Sequence, residues 1–198
     1  MTDRIIEILA VIFALLALYF QIKQRWLTWS MGIISALAYV YLCVTAKLYA
    51  ESGLNAYYAL AGVYGMWCWR KRNTNTSAGA GTSAGAEPKT LRVTRITPRL
   101  TIIFSLIALA LWFLLRHILA TYTDSPVPAA DAFVASLSIM GTYMLAKKFL
   151  ENWHVWIVAD AAAIGLYFYK DLRFTAGLYI IYTILAFYGL WRWRKDMK

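Results

Sequence analysis

The chain has 198 residues, of which 61% are hydrophobic and 15% are charged, whereas roughly a quarter of an ordinary soluble domain is charged. This composition excludes a soluble globular protein and predicts that most of the chain lies in a lipid bilayer. The formal net charge of +10 does not indicate a nucleic-acid-binding protein, because nearly all of the basic residues fall in short segments that flank apolar stretches.

Seven apolar segments are long enough, or nearly long enough, to cross a hydrocarbon core about 30 Å thick as α-helices. The predicted helices, in chain order, are Ile5–Phe20, Trp29–Thr45, Leu54–Trp69, Leu100–Leu119, Ala130–Leu145, Val155–Tyr169 and Ala176–Trp191. We therefore predict an all-α integral membrane protein with seven transmembrane helices.

The basic residues predict the orientation of these helices. If the N-terminus lies outside, one face receives 15 of the 20 Lys and Arg residues. They are Lys23, Arg25, Arg70, Lys71, Arg72, Lys89, Arg92, Arg95, Arg99, Lys147, Lys148, Arg192, Arg194, Lys195 and Lys198. The positive-inside rule makes this face, and the C-terminus with it, cytoplasmic.

The last third of the chain repeats its first third. Residues in and next to the third predicted helix recur 124 positions later, in and next to the seventh. Gly53, Tyr58, Tyr64, Gly65, Trp67, Trp69 and Arg70 return as Gly177, Tyr182, Tyr188, Gly189, Trp191, Trp193 and Arg194. Upstream, Trp26 and Trp29 match Trp153 and Trp156 at a shift of 127, which predicts a three-residue length change between the two matched blocks.

One unpaired span separates the two copies, so both copies enter the membrane in the same direction. This predicts a parallel 3+1+3 repeat. The expected organisation is a first three-helix repeat over residues 1–72, a flexible cytoplasmic linker over 73–99, a connector helix and loop over 100–128, and a second three-helix repeat over 129–198. The linker contains the stretch NTNTSAGAGTSAGAEP, whose small polar residues cannot bury enough apolar surface to fold.

The motifs of enzymes are missing from the sequence. It has no phosphate-binding glycine loop with its lysine, no His-x-x-x-His pair and no cysteine cluster. His117 and His154 fall at opposite ends of predicted spans, and Cys43 and Cys68 fall in opposite halves of the bilayer. We therefore expect neither catalysis nor a cofactor nor a metal site.

The sixth predicted helix carries the strongest candidate site. Trp153, Trp156 and Asp160 are spaced at i, i+3 and i+7 and share one helical face. A carboxylate inside the hydrocarbon costs at least ~2.5 kcal/mol, so it usually faces a partner or a wet cavity. Because aromatic faces attract organic cations, this stripe is a candidate wall of a pocket for a cationic heteroaromatic ligand. The neighbouring Asn152 is a further candidate residue of this pocket.

Two other interpretations of these residues stay open. Eight of the nine tryptophans lie near cytoplasmic helix ends, as in an interfacial aromatic belt; this interpretation is favoured for Trp67, Trp69, Trp191 and Trp193. Asp160 could instead pair with a neighbouring helix as a structural group.

Polar residues of the third and seventh helices are further candidates. Asn55 and Tyr58, together with Tyr179 and Tyr182 in the second copy, put hydrogen-bonding groups in the outer half of the membrane. Hydrogen bonds between packed helices explain these four residues equally well.

Several segments resemble the PnuC family of bacterial vitamin transporters. They read YAESGLN from Tyr49, YGMW from Tyr64, ENWHVWIVAD from Glu151, and GLY and YK from Gly165 and Tyr169. The resemblance implies a multi-pass protein of the bacterial inner membrane, a homotrimer, and the 3+1+3 architecture shared by SWEET sugar transporters. It also implies that Trp153, Trp156, Asp160, Asn55 and Tyr58 line or neighbour the substrate site.

The same resemblance implies facilitated diffusion of an unphosphorylated vitamin precursor, chiefly nicotinamide riboside, which cytoplasmic kinases trap for NAD biosynthesis. Thiamine is the alternative substrate, since it too carries a cationic heteroaromatic ring. Two further alternatives are a proton-coupled transporter that uses Asp160 as a relay and a non-transporting membrane receptor.

Overall fold

The computed structural model describes residues 2–45, 49–77 and 92–197. Over these residues the chain forms seven α-helices: α1 (Thr2–Ile22), α2 (Leu27–Thr45), α3 (Tyr49–Ser77), α4 (Pro98–Tyr122), α5 (Pro128–Ala146), α6 (Asn152–Tyr169) and α7 (Arg173–Asp196). The prediction of an all-α fold with seven helices is confirmed. By length and composition, α1, α2, α4, α5 and α7 are long and apolar enough to cross a membrane.

The third helix is longer than predicted. It continues beyond Trp69 to Ser77, so residues 73–77 are helical rather than part of a flexible linker. The linker residues 78–91 lie outside the described part of the chain. The helix α4 begins at Pro98, after an extended Thr97, because the fixed backbone of proline and its missing N–H suit the first helical turn.

Three helices end in the same hydrogen-bonded turn. In α1, α5 and α6 the residue after the last turn adopts a left-handed backbone: Gln24 and Lys148 have φ of 55° and Asp171 has φ of 56°. Its N–H bonds the carbonyl three residues back, and the next N–H bonds the carbonyl five residues back. This Schellman arrangement satisfies carbonyls that a helix end would otherwise leave unpaired.

These turns fix how the two copies align. Gln24 and Lys148 are 124 residues apart, and so are the last residues of α1 and α5, Ile22 and Ala146. The predicted shift of 127 for the upstream tryptophans is therefore wrong. A Trp-x-x-Trp spacing occurs in both copies, but about one helical turn out of phase, and Trp29 rather than Trp26 corresponds to Trp153.

The chain forms two compact units. The first comprises the described part of Met1–Thr94 together with Leu145–Lys148 and contains α1, α2 and α3. Serine and threonine hydroxyls of α2 bond the backbone of α1: Ser35 Oγ donates to the carbonyl of Ala10 at 2.9 Å, and Thr28 Oγ1 donates to that of Ala17 at 2.8 Å. In a membrane such bonds satisfy polar groups between helices.

The second unit comprises Arg95–Met144 and Phe149–Asp196, so the connector helix α4 belongs to the same unit as α6, α7 and most of α5. The indole Nε1 of Trp112 on α4 donates to the carbonyl of Ala129 at 2.9 Å. At the ends of α6 and α5, Lys170 Nζ lies 2.7 Å from Asp131 Oδ1.

Candidate functional site

Trp153 belongs to the packed interface of α6 and α7. Its side chain is fully buried, and its ring meets that of Trp193 edge-on, with centroids 5.4 Å apart and planes at 89°. A methyl group added at Gly189 would come within 2.4 Å of the Trp153 indole. Gly189 is therefore the residue that makes room for this ring.

The first unit contains the same arrangement. Trp29 of α2 meets Trp69 of α3 edge-on at 5.6 Å and 87°, and a methyl group added at Gly65 would come within 2.4 Å of the Trp29 indole. The positions of Trp29, Gly65 and Trp69 are each 124 residues before their counterparts in α6 and α7. Because the same buried cluster joins two helices in each copy, we assign it a role in helix packing.

The aromatic-belt interpretation is wrong for two of its four tryptophans. Trp69 and Trp193 are 3% and 0% exposed, whereas Trp67 and Trp191 are 55% and 57% exposed. The sequence Trp-x-Trp places the two side chains of each pair on different sides of the helix. One of each pair therefore enters the helix packing and the other faces the surroundings.

Trp156 points to a different neighbour from Trp153. Its half-buried indole lies against Gly141 of α5, where an added methyl group would come within 3.1 Å of the ring. Its Nε1 is buried, and within the described residues it has no hydrogen-bond partner. The stripe read from the sequence therefore divides, with Trp153 turned to α7 and Trp156 to α5.

The second copy alone carries the large and acidic residues of the stripe. At the shift of 124, Trp156 corresponds to Gly32 and Asp160 corresponds to Ala36. A methyl group added at Gly32 would meet Ala17 only at 4.0 Å. Helix packing that both copies share does not need Trp156 or Asp160, and this asymmetry makes them the best candidates for binding a ligand.

Asp160 is an isolated buried acid. Its residue is 5% exposed, and among the described residues its carboxylate has neither an ion-pair nor a hydrogen-bond partner. It lies four residues beyond Trp156 on α6, a rise of about 6 Å. A carboxylate in such surroundings needs a cation, a proton or water to offset its desolvation.

Asn152 opens α6 with a partly satisfied amide. Its Nδ2 donates to the carbonyl of Phe149 at 2.5 Å. Its Oδ1 is buried and has no hydrogen-bond partner in the part of the chain that the structure describes. An unsatisfied buried acceptor costs about 1–3 kcal/mol, so Asn152 has an acceptor to offer to a ligand or a water molecule.

Tyr179 and Tyr182 form a cluster with a residue that sequence reasoning did not select. Tyr179 stacks on Tyr167 of α6 with centroids 5.1 Å apart at 28° and meets Tyr182 edge-on at 5.6 Å. Tyr167 lies seven residues after Asp160 and so continues the α6 stripe, which was the signal available to find it.

Asn55 and Tyr58 lie in the first unit. The amide Nδ2 of Asn55 donates to the carbonyl of Glu51 in its own helix at 2.8 Å. The ring of Tyr58 meets that of Tyr57 at 5.7 Å and 61°. Both side chains are half-buried. The Asn55 hydrogen bond stays within α3, so it is not one of the hydrogen bonds between packed helices that the alternative interpretation expects.

Comparison with known proteins places the chain in a family. The family described as nicotinamide mononucleotide transporter matches residues 4–195. The nicotinamide riboside transporter PnuC of Neisseria mucosa is 25% identical over 99% of this chain and 74% of its own. That of Escherichia coli is 21% identical over 98% of this chain and 86% of its own.

A solved structure shares the fold. It is described as the crystal structure of the vitamin B3 transporter PnuC, and it superposes with a TM-score of 0.75 at 23% identity, covering 98% of this chain and 82% of that one. With nearly the whole sequence matched, the chain belongs to the nicotinamide mononucleotide transporter family.

Proposed function

We propose that this protein is a membrane transporter for nicotinamide riboside. The names of its relatives support this substrate, and the observation that carries the proposal is the pairing of Trp156 with Asp160 on α6, which the first copy lacks. The nicotinamide ring of the riboside is a cation. Trp156 would stack on it, at about 0.5–2 kcal/mol depending on desolvation, and Asp160 would balance its charge.

Two of the buried polar atoms that lack a hydrogen-bond partner among the described residues fit the remainder of this ligand. Trp156 Nε1 is a buried donor and Asn152 Oδ1 a buried acceptor, and a riboside brings hydroxyls and a carboxamide that complement both kinds of group. Tyr167, Tyr179 and Tyr182 extend the aromatic lining beyond Asp160. Asn55 and Tyr58 complete the proposed set, and Trp153 supports it from the core of α6 and α7.

The charges of the helices favour the riboside over its phosphate. Neither α5 nor α6 contains a Lys or Arg, so no permanently charged basic side chain of these helices could pair with a phosphate dianion beside the Asp160 carboxylate. A mononucleotide would bring that phosphate close to a buried acid without compensation.

The proposed transport cycle is uniport by alternating access, with the two helix triplets of a parallel 3+1+3 repeat changing their relative tilt. In this proposal α3 and α6 also cross the inner membrane, the N-terminus lies outside, the C-terminus is cytoplasmic, and three chains form a homotrimer. The distribution of basic residues supports the orientation.

Uptake of labelled nicotinamide riboside into liposomes that contain the purified protein tests this function. We expect uptake without ATP or an ion gradient. A strict requirement for a proton gradient would replace uniport with the proton-coupled alternative, and the absence of any flux for every vitamin tested would leave the receptor alternative.

A thermal-shift panel tests the substrate. A ligand that binds only the folded state stabilises it by an amount that grows with the logarithm of its concentration over its dissociation constant. We expect nicotinamide riboside to stabilise the protein more than its mononucleotide, thiamine or riboflavin. A larger shift with thiamine, which shares the cationic ring, would make thiamine the substrate.

A further inference from the structure

Two exposed aromatic pairs occupy equivalent positions in the two copies. Tyr64 and Trp67 on α3 have ring centroids 6.3 Å apart at 33°, and Tyr188 and Trp191 on α7 have centroids 5.7 Å apart at 30°. The four residues are between 37% and 57% exposed. We refer to the pairs as the α3 ring pair and the α7 ring pair.

A lysine ammonium lies over each ring pair. Lys147 Nζ is 5.2 Å from the centroid of Tyr64, and Lys195 Nζ is 5.8 Å from that of Trp191. The two lysines come from different places in the sequence, since Lys147 follows α5 and Lys195 belongs to α7 itself. The same combination of rings and ammonium therefore arises by two routes, whereas an aromatic belt alone requires no basic partner.

The two helices that carry the ring pairs contain few acidic residues. On α3 the single acidic residue is Glu51, in the first turn, about 20 Å along the axis from Tyr64 at 1.5 Å per residue. On α7 the single acidic residue is Asp196, which lies 4.0 Å from Arg192. Each site therefore combines exposed apolar rings with a cation, which complements a molecule that has an apolar body and an anionic head.

We propose that each ring pair binds one anionic phospholipid, with the lysine at the lipid phosphate and the rings against the glycerol and the first part of the acyl chains. This inference rests on the membrane location of the protein and is independent of its substrate. Lysines close to a membrane surface attract anionic lipids, and aromatic side chains settle at the same depth.

Native mass spectrometry of the full chain, released from nanodiscs of equal phosphatidylglycerol and phosphatidylcholine, tests the proposal. We expect two retained phosphatidylglycerol molecules per chain. The double variant Lys147→Gln with Lys195→Gln should lose them, with apparent affinity falling about fivefold for each lysine. The double variant Lys147→Arg with Lys195→Arg should retain them, because it keeps both charges.

The matched control removes two exposed charges elsewhere, with Arg4→Gln and Arg116→Gln, and should keep the lipids. Equal retention of phosphatidylcholine, unchanged retention in the glutamine double variant, or equal loss in the control would overturn the proposal. The measurement contains no nicotinamide riboside, so its failure leaves the proposed transport function untouched.

Discussion

The indole of Trp156 lies so close to Gly141 that a single added methyl group would come within 3.1 Å of the ring. Contacts this short require the neighbour to move by a few tenths of an ångström. The counterpart of Trp156 in the first copy is Gly32 and that of Gly141 is Ala17, so the glycine of the pair lies on α2 in the first copy and on α5 in the second. The glycine on α5 leaves space for the indole of Trp156 in the second copy.

Gly141→Ala should weaken the binding of nicotinamide riboside by about tenfold, or ~1.4 kcal/mol, because the methyl group displaces the Trp156 ring that the ligand stacks on. Titration of purified protein by isothermal calorimetry measures this change. Gly165→Ala is the control, since nothing lies within 4 Å of the added methyl group there. Equal affinities of the two variants would contradict the claim that Gly141 positions Trp156 for ligand binding.

The two tryptophans of the α6 stripe should differ in what they support. Trp153→Ala empties a fully buried position and should lower the free energy of unfolding by about 3–5 kcal/mol. Trp156→Ala should reduce riboside affinity by about tenfold and change stability less. Thermal unfolding and ligand titration of both variants separate these effects, and a Trp156→Ala protein with unaltered affinity would return Trp156 to a packing role.

Charge at Asp160 should matter only for a cationic ligand. Asp160→Asn keeps the shape of the side chain and removes its charge, so it should weaken the binding of nicotinamide riboside by about tenfold. The reduced riboside has an uncharged ring and should bind the variant and the parent protein alike. Equal loss for both ligands would mean that Asp160 acts through the structure of α6 instead of through charge.

The glycines under the core tryptophans should tolerate no side chain. Gly65→Ala and Gly189→Ala place a methyl group 2.4 Å from Trp29 and Trp153, and this overpacking should cost about 1–3 kcal/mol. Gly53 on α3 and Gly177 on α7, which are also 124 residues apart, are the controls. A methyl group added at either of them has no neighbour within 4 Å. Alanine at the controls should be neutral or stabilising, which differential scanning fluorimetry measures.

If all four variants unfolded at the same temperature, the close packing of the two tryptophans would not stabilise the fold. A loss at Gly189 without a loss at Gly65 would mean that the two clusters, although alike in geometry, differ in their contribution to stability.

Lys148 should make stability rise with pH. The Nζ of Lys148 lies 4.5 Å from the Trp69 ring centroid and 3.4 Å from Gln24 Oε1. Burial at this position lowers the pKa of Lys148 from 10.5 to about 8. Below pH 8 the group is protonated in both the folded and unfolded states, and the cost of burying its charge is fully present. Between about pH 8 and 10.5 the unfolded state binds more protons, so stability increases.

The corresponding measurement is the unfolding temperature at pH values from 7 to 9.5, for the parent protein and for Lys148→Met. The parent should gain stability relative to the variant as the pH rises. Parallel curves would show that burial does not depress the pKa of this lysine.

The positions of the helices were predictable because apolar length, basic flanks and proline placement act locally. The prediction ended α3 at Trp69 because the residues after it are polar, and the helix nevertheless runs to Ser77. Hydropathy reports where a helix leaves the apolar phase and not where its backbone hydrogen bonds stop.

The alignment of the two copies was not predictable from tryptophan spacing. Trp-x-x-Trp in both copies suggested a shift of 127, while the turns at Gln24 and Lys148 and the rings on Gly65 and Gly189 set it at 124. A backbone in the left-handed region at Gln or Lys carries no clear sequence signal, since glycine is the usual residue there.

The candidate site was only partly predictable. Helical periodicity put Trp153, Trp156 and Asp160 on one face, but a face about 100° wide can touch two neighbouring helices. Which neighbour each ring meets depends on glycines far away in sequence, Gly141 and Gly189. Tyr167 could have been found from the same periodicity.

Flux of nicotinamide riboside tests the central claim most directly. Liposomes that contain the purified protein and unlabelled riboside inside should accumulate labelled riboside from outside by exchange, without ATP or an ion gradient, and liposomes with Trp156→Ala should accumulate much less. Flux equal to that of protein-free liposomes, or a parent and variant that cannot be told apart, would contradict the account.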